Sequence, residues 1–144
     1  RAGRRDMHSD VVIQSYKPEH YAIKAAATQD YESFYDAEIS YRKMLLYPPA
    51  IHILSIQFAA LSEDKLLDFE KKFMSRLHEA VKGYKALITG PVSPSVYKLY
   101  DYYRKILYIK HYQYDILNEI KIITDGIADE INTSLDIAIL YDFT

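Results

Sequence analysis

The chain changes its hydrophobic rhythm several times, and a double proline marks one of the changes. Val11, Val12 and Ile13 are consecutive and β-branched, which predicts a short buried strand over Asp10–Tyr16. Lys17-Pro18 breaks it, and Pro18 is placed to start a helix over His20–Thr28. From Asp30 to Leu46 the pattern is helical. Tyr31, Phe34, Tyr35, Glu38, Ile39, Arg42, Leu45 and Leu46 recur at three- and four-residue steps and predict one buried face. Glu38 and Arg42 form an i, i+4 pair in the favoured order, read as structural. Tyr47-Pro48-Pro49 stops the helix, because proline donates no hydrogen bond and pushes its predecessor out of α space.

Past that boundary the period drops to two. Ile51, Ile53, Ser55, Gln57 and Ala59 alternate with His52, Leu54, Ile56, Phe58 and Ala60, as in a strand. Ser62 caps the next helix, with Glu63 and Asp64 in its first turn. Its apolar stripe is Leu66, Phe69, Phe73, Leu77, Ala80 and Val81, with Gly83 as its C′ residue. A short strand, Ala86–Thr89, ends at "GPVSPS". "VYKLYDYYRKILYIKHY" reads as a hairpin turning near Asp101-Tyr102. Tyr114–Ile131 reads as a helix with Ile116, Ile120, Ile123, Ile127 and Ile131 on one side, and Leu135–Tyr141 as a last strand. From Ala50 onward the order is β-α-β-β-α-β, a ferredoxin-like α+β arrangement with two helices on one face of an antiparallel sheet.

Composition narrows the chemistry. With 144 residues, 49% hydrophobic and 26% charged, the chain can bury one core. A net charge of −2 means that any nucleic-acid surface must come from local segregation of charge. There is no cysteine, and none of the five histidines sits at i, i+3 or i+4 to another, so solvated or capping roles are expected and no metal site. No run of 18 apolar residues and no signal peptide is present, which predicts an intracellular protein outside the membrane. The opening residue, Arg1 rather than Met, suggests a piece excised from a longer chain. The unusual count is 15 Tyr with no Trp.

Those tyrosines cluster. Residues 84–112 hold seven Tyr and five Lys/Arg against one acid, Asp101. Cations neutralise phosphates and tyrosine rings stack on unpaired bases, so Lys98, Tyr100, Tyr102, Arg104, Lys105, Tyr108 and Lys110 are candidates for DNA contact. Strand alternation puts Arg104, Ile106, Tyr108 and Lys110 on one face and Lys105, Leu107 and Ile109 on the other. The competing reading is that these tyrosines are half-buried strand formers and the lysines only solvate an edge. The carboxylates of "DAEISY" and "TDGIADE" lie on helices without a partner base, as solvated faces.

An ordered set of motifs adds a second source of inference: "RAGR", "VVIQSYKPEHYAI", "DYESFYDAEISYRKMLLYPP" and, more loosely, "ITGPVSPSVYKL" and "YYRKILYIK". The chain resembles the C-terminal end of the PriA (primosomal protein N′) family of replication-restart DNA helicases. The resemblance implies that residues 1–48 are the tail of the second helicase lobe and 49–144 a DNA-binding-type domain similar to a ribosomal S10-like fold. It implies, for the full-length protein, ATP-driven 3′→5′ unwinding at abandoned forks, with ATP, magnesium and zinc as cofactors, in the bacterial cytoplasm at the nucleoid. Implied partners are forked or single-stranded DNA, single-stranded DNA-binding protein and primosome proteins. Three features depart from the family pattern: Arg5 where Gly is usual, Tyr100 and Tyr102 where basic residues flank the turn, and the closing "LDIAILYDF".

By the same resemblance, Arg1 and Arg4 match helicase arginines that contact ATP phosphates. Catalysis also needs a phosphate-cradling loop and carboxylates for magnesium, and the sequence has no GxxxxGK[ST] and no acidic helicase box. The expectation is therefore a non-catalytic fragment that helps hold branched DNA, with Arg1–Arg5 a frayed, solvated end. The rival is a module that packs on other helicase lobes or grips a protein. Asp10–Tyr16, lacking its own sheet, is expected to lack order or to pair with another copy's edge.

Overall fold

A computed structural model describes residues 11–144. The chain divides into two compact units, one ending at Met44 and one running Leu45–Thr144. In the first, residues 11–16 form no strand, and Val11 and Val12 are 72% and 90% exposed. The expected strand is thus not formed over 11–16, and Asp10 lies outside the described residues. A β-branched run favours extended backbone, but a strand exists only when a neighbour takes its hydrogen bonds, and none among the described residues does.

Helix α1 (Tyr21–Thr28) starts at His20, whose Nδ1 accepts the Ala22 N–H, and ends on Gln29 at φ 55. Before α2 (Tyr31–Leu45), Asp30 accepts the Ser33 N–H at 3.0 Å, and hydrogen bonding to Ser33 holds its carboxyl below the ordinary range. Glu38 ties the two helices together: Tyr21 Oη donates to Oε2, and Arg42 Nε donates to Oε1 at 2.6 Å. Neither helix buries a residue, so the expected buried face of α2 is absent; Tyr31, Tyr35 and Met44 lie exposed. The pattern supplies a stripe, but a stripe is buried only by a layer that covers it.

The second unit begins where Leu46 turns to φ 54 ahead of Tyr47 and a cis Pro48–Pro49 bond. Strand β1 (His52–Ala60) leads to α3 (Glu63–Ala80), which Ser62 caps by accepting the Lys65 N–H. Strands β2 (Leu87–Val92), β3 (Lys98–Leu99) and β4 (Tyr102–His111) follow, then α4 (Tyr114–Ile131), a 3-10 turn (Asn132–Ser134) and β5 (Ala138–Phe143). The sheet order is β2-β4-β1-β5, with every pair antiparallel and β3 added beside β4. This is the α+β, ferredoxin-like arrangement.

Leu54, Ile56, Phe58 and Ala60 of β1 face α3 and α4 and are essentially inaccessible. Phe58 packs edge-on to Phe69 and Phe73 at 5.2 and 5.0 Å between centroids, a geometry aromatic rings favour. The buried line of α4 is Leu117, Ile120, Thr124 and Ala128, not the isoleucine row. Of that row only Ile120 is fully buried; Ile116, Ile127 and Ile131 pack at its margin. Thr124 fits the core because its Oγ1 donates to the Lys121 carbonyl at 2.8 Å.

Three boundaries differ from the sequence expectation. Helix α3 ends at Ala80 with Val81 as its C-cap, and Lys85 rather than Gly83 takes the left-handed conformation, at φ 53. "GPVSPS" does not end β2, which passes through Gly90-Pro91 with a register shift between Thr89 and Val92. Gly90 is required there: at φ +103 an added Cβ would meet the Ile106 carbonyl at 2.9 Å. The last strand is Ala138–Phe143, because Asn132 binds both Ile137 backbone groups, at 2.7 and 2.8 Å, and holds the corner open.

Candidate nucleic-acid interface

Strand β4 carries most of the predicted contacts, and its pairing with β1 decides where each points. Tyr103, Lys105, Leu107 and Ile109 pair with Ala60, Phe58, Ile56 and Leu54, so they share the helix-covered face. Tyr102, Arg104, Ile106, Tyr108 and Lys110 lie on the opposite face, beside Ser55, Gln57 and Ala59 of β1 and Thr89 of β2. Beyond β1, Ala138, Leu140 and Asp142 of β5 complete that face. The seven candidates therefore do not form one surface.

Lys105 faces the helices. Its Nζ lies 3.7 Å from Glu70 Oε2 of α3 and 5.7 Å from the Tyr97 ring centroid, and its side chain is only 16% exposed. A cation so enclosed neutralises Glu70 and is a poor phosphate ligand. Lys98 turns the same way and lies over the Tyr103 ring at 5.0 Å. Its bond to Asp101, with Nζ–Oδ1 at 3.3 Å, raises its pKa above the ordinary lysine value. Tyr97 donates to Glu63 Oε1 at 2.8 Å; burial first, then this bond, pushes its hydroxyl up to about 12.

Arg104 and Lys110 keep to the open face, with Tyr108 between them. They are six residues apart, roughly 20 Å along a strand. The Arg104 guanidinium donates to the Val96 carbonyl, while its Nε is buried without a partner. Lys110 Nζ donates to the Leu46 carbonyl at 3.1 Å and lies 4.7 Å from the Tyr47 ring centroid. A lysine ammonium has three donors and a guanidinium five, so each retains capacity for a phosphate oxygen. Tyr100 stands apart at the hairpin turn and is 88% exposed; Tyr102 follows it on the open side.

Sequence reasoning missed the groups that hold these cations: Glu70, Val96, Leu46 and Tyr47. The double-proline stop was readable, but not that the Leu46 carbonyl would face a lysine 64 positions on. Alternation did signal the split of Arg104 and Lys110 from Lys105. Arg1 and Arg4 lie outside the described residues. Among the described residues no three His, Asp or Glu side chains stand together to hold a metal. No helix among them is long and apolar enough to cross a membrane.

No family model matches the chain. It is 32% identical over 120 residues to the replication restart protein PriA of Bacillus subtilis, covering 78% of this chain and 14% of that protein. Against the replication restart protein PriA of Thermotoga maritima the identity is 38% over 110 residues, covering 76% and 14%. For that of Borreliella burgdorferi it is 32% over 125 residues, covering 83% and 18%. The chain thus spans less than a fifth of the length of these curated relatives. In fold it is similar to the de novo designed protein Foldit4, with a TM-score of 0.51 at 8% identity, covering 65% of this chain and 96% of that one.

Proposed function

Because the chain belongs to the replication restart protein PriA family, we propose that it is a non-catalytic part of a replication-restart helicase whose sheet unit grips forked or single-stranded DNA. The observation that carries this reading is the open face of β4, where Arg104, Tyr108 and Lys110 form one row. Two cations about 20 Å apart suit backbone phosphates separated by several nucleotides of one strand, and the tyrosine between them offers a ring to a base. The sequence holds no GxxxxGK[ST], so ATP and magnesium, and zinc with them, are assigned in this reading to the remainder of the helicase. Single-stranded DNA-binding protein and primosome proteins are the partners this reading assigns to the whole protein, in the bacterial cytoplasm.

A second reading has its own support. Leu87 and Leu140 stand 46% and 61% exposed on the same face, and both cations already hold a carbonyl, which suits a protein-docking surface. Titrating labelled single-stranded and forked DNA with the chain from about 50 to 200 mM salt separates the two. DNA gripping predicts a log–log salt dependence, with Lys110→Ala lowering the slope by about 0.7 on single strands, the value of one phosphate contact. Negligible DNA affinity at every salt concentration favours the docking surface.

A further inference from the structure

We propose that the tip of the β3–β4 hairpin is a base-stacking contact, in which the exposed ring of Tyr100 receives an unpaired nucleobase. This rests on the DNA-gripping reading and extends it to one residue and one ligand chemistry.

The turn itself carries the argument. Leu99 pairs with Tyr102, which leaves Tyr100-Asp101 as a two-residue loop. Both residues have positive φ, 48 and 67, as a type I′ hairpin turn requires. Asn, Asp and Gly suit such positions, and Asp101 conforms. Tyr100 does not, since a bulky side chain meets its own backbone in the left-handed region. Packing does not offset that strain, because Tyr100 is 88% exposed. A strained backbone residue whose ring supports no core points to a role outside the fold.

The tip is also held in place. Lys98 Nζ reaches Asp101 Oδ1 at 3.3 Å across the turn and rests over the Tyr103 ring at 5.0 Å. The Arg104 N–H donates to the Tyr97 carbonyl at 2.9 Å, and its guanidinium donates to Val96. An aromatic presented on a braced turn loses little freedom on binding.

Placement and charge select the ligand. Strand β1 ends its pairing at Ala60, opposite Tyr103, so the turn lies past the end of that strand. Leu99 and Tyr102, each 41% exposed, sit on the open side, in line with Arg104, Tyr108 and Lys110. The carboxylate at the tip, Asp101, is exposed, and the nearby cation Lys98 is already bound to it. A phosphate would be repelled there. A flat, uncharged group would not, and a nucleobase is the part of DNA that fits.

The test uses a single-stranded oligonucleotide containing 2-aminopurine, whose emission reports stacking, with the unmutated chain, Tyr100→Gly and Tyr100→Phe. Glycine relieves the turn and deletes the ring, so stability and binding should move in opposite directions. The melting temperature should hold or rise, while affinity falls about 5- to 150-fold, the range for one stacked base. The 2-aminopurine response should disappear with it. Tyr100→Phe should keep both affinity and response. Binding by Tyr100→Gly within twofold of the unmutated chain would overturn the stacking proposal and leave the gripping reading intact. So would a lost response in Tyr100→Phe, or a lower melting temperature in Tyr100→Gly. No DNA binding by the unmutated chain at low salt would overturn both.

Discussion

The two units of this chain use similar amphipathic patterns and obtain different results. In the sheet unit α3 and α4 each bury four residues, and Phe58, Phe69 and Phe73 form a closed aromatic cluster. In the first unit α1 and α2 bury none, and the bond between them runs through one carboxylate, Glu38, shared by Tyr21 and Arg42. The difference lies in the layers. A sheet offers a wide flat surface on which two helices bury whole faces, whereas two short helices cover only a strip of each other. Stability follows the area removed from water, so apolar burial contributes more in the sheet unit than in the helix pair, where the Tyr21 ring meets Phe34 and Tyr41 beside the Glu38 bonds.

The largest expected effect breaks the sheet side of this contrast. Phe73→Ala should destabilise the sheet unit by about 3–5 kcal/mol in denaturant unfolding, because a fully buried ring leaves a cavity. Tyr35→Ala, at a half-exposed ring of α2, should change unfolding by less than about 0.5 kcal/mol. Equal losses at the two sites would erase the distinction.

A smaller effect probes backbone rather than side-chain packing. Gly90→Ala should cost about 1–3 kcal/mol, since the new Cβ meets the Ile106 carbonyl and the residue is held at positive φ. Gly83→Ala, with open space and an ordinary backbone, serves as its control and should be neutral in the same unfolding measurement.

The smallest effect sharpens the helix-pair side. Hydrogen bonds from Tyr21, then from Arg42, hold the Glu38 carboxyl below its ordinary value. A depressed folded pKa means stabilisation that is full above the unfolded value, near 4.5, and lost as pH falls through the folded one. Amide protection factors in α1 and α2, corrected for the intrinsic pH dependence of exchange, should therefore fall on acidification, and Glu38→Gln should flatten that dependence. An unchanged pH profile in the variant would remove Glu38 from the account.

Much of the candidate site was legible in advance because a strand's alternation is local. Placing Arg104 and Lys110 opposite Lys105 needed only a period of two. The turn was legible to within one residue, near Asp101-Tyr102 against Tyr100-Asp101. The holders of the cations were not, because the Lys105–Glu70 and Lys110–Leu46 contacts join positions 35 and 64 apart along the chain.

By itself, the sequence determined the kind and order of the elements: the proline stop, the Ser62 cap, the 18-residue helix from Tyr114 and the split β-α-β succession. Capping, proline sterics and hydrophobic period act over a few neighbouring residues, so they are written in the chain itself. Tertiary structure alone decided which patterned stretches were buried. Among the described residues, Val11–Ile13 and α2 have the pattern without a covering layer, whereas β1 and α4 have both. Burial is a property of two surfaces meeting, and one strip of sequence describes only one of them.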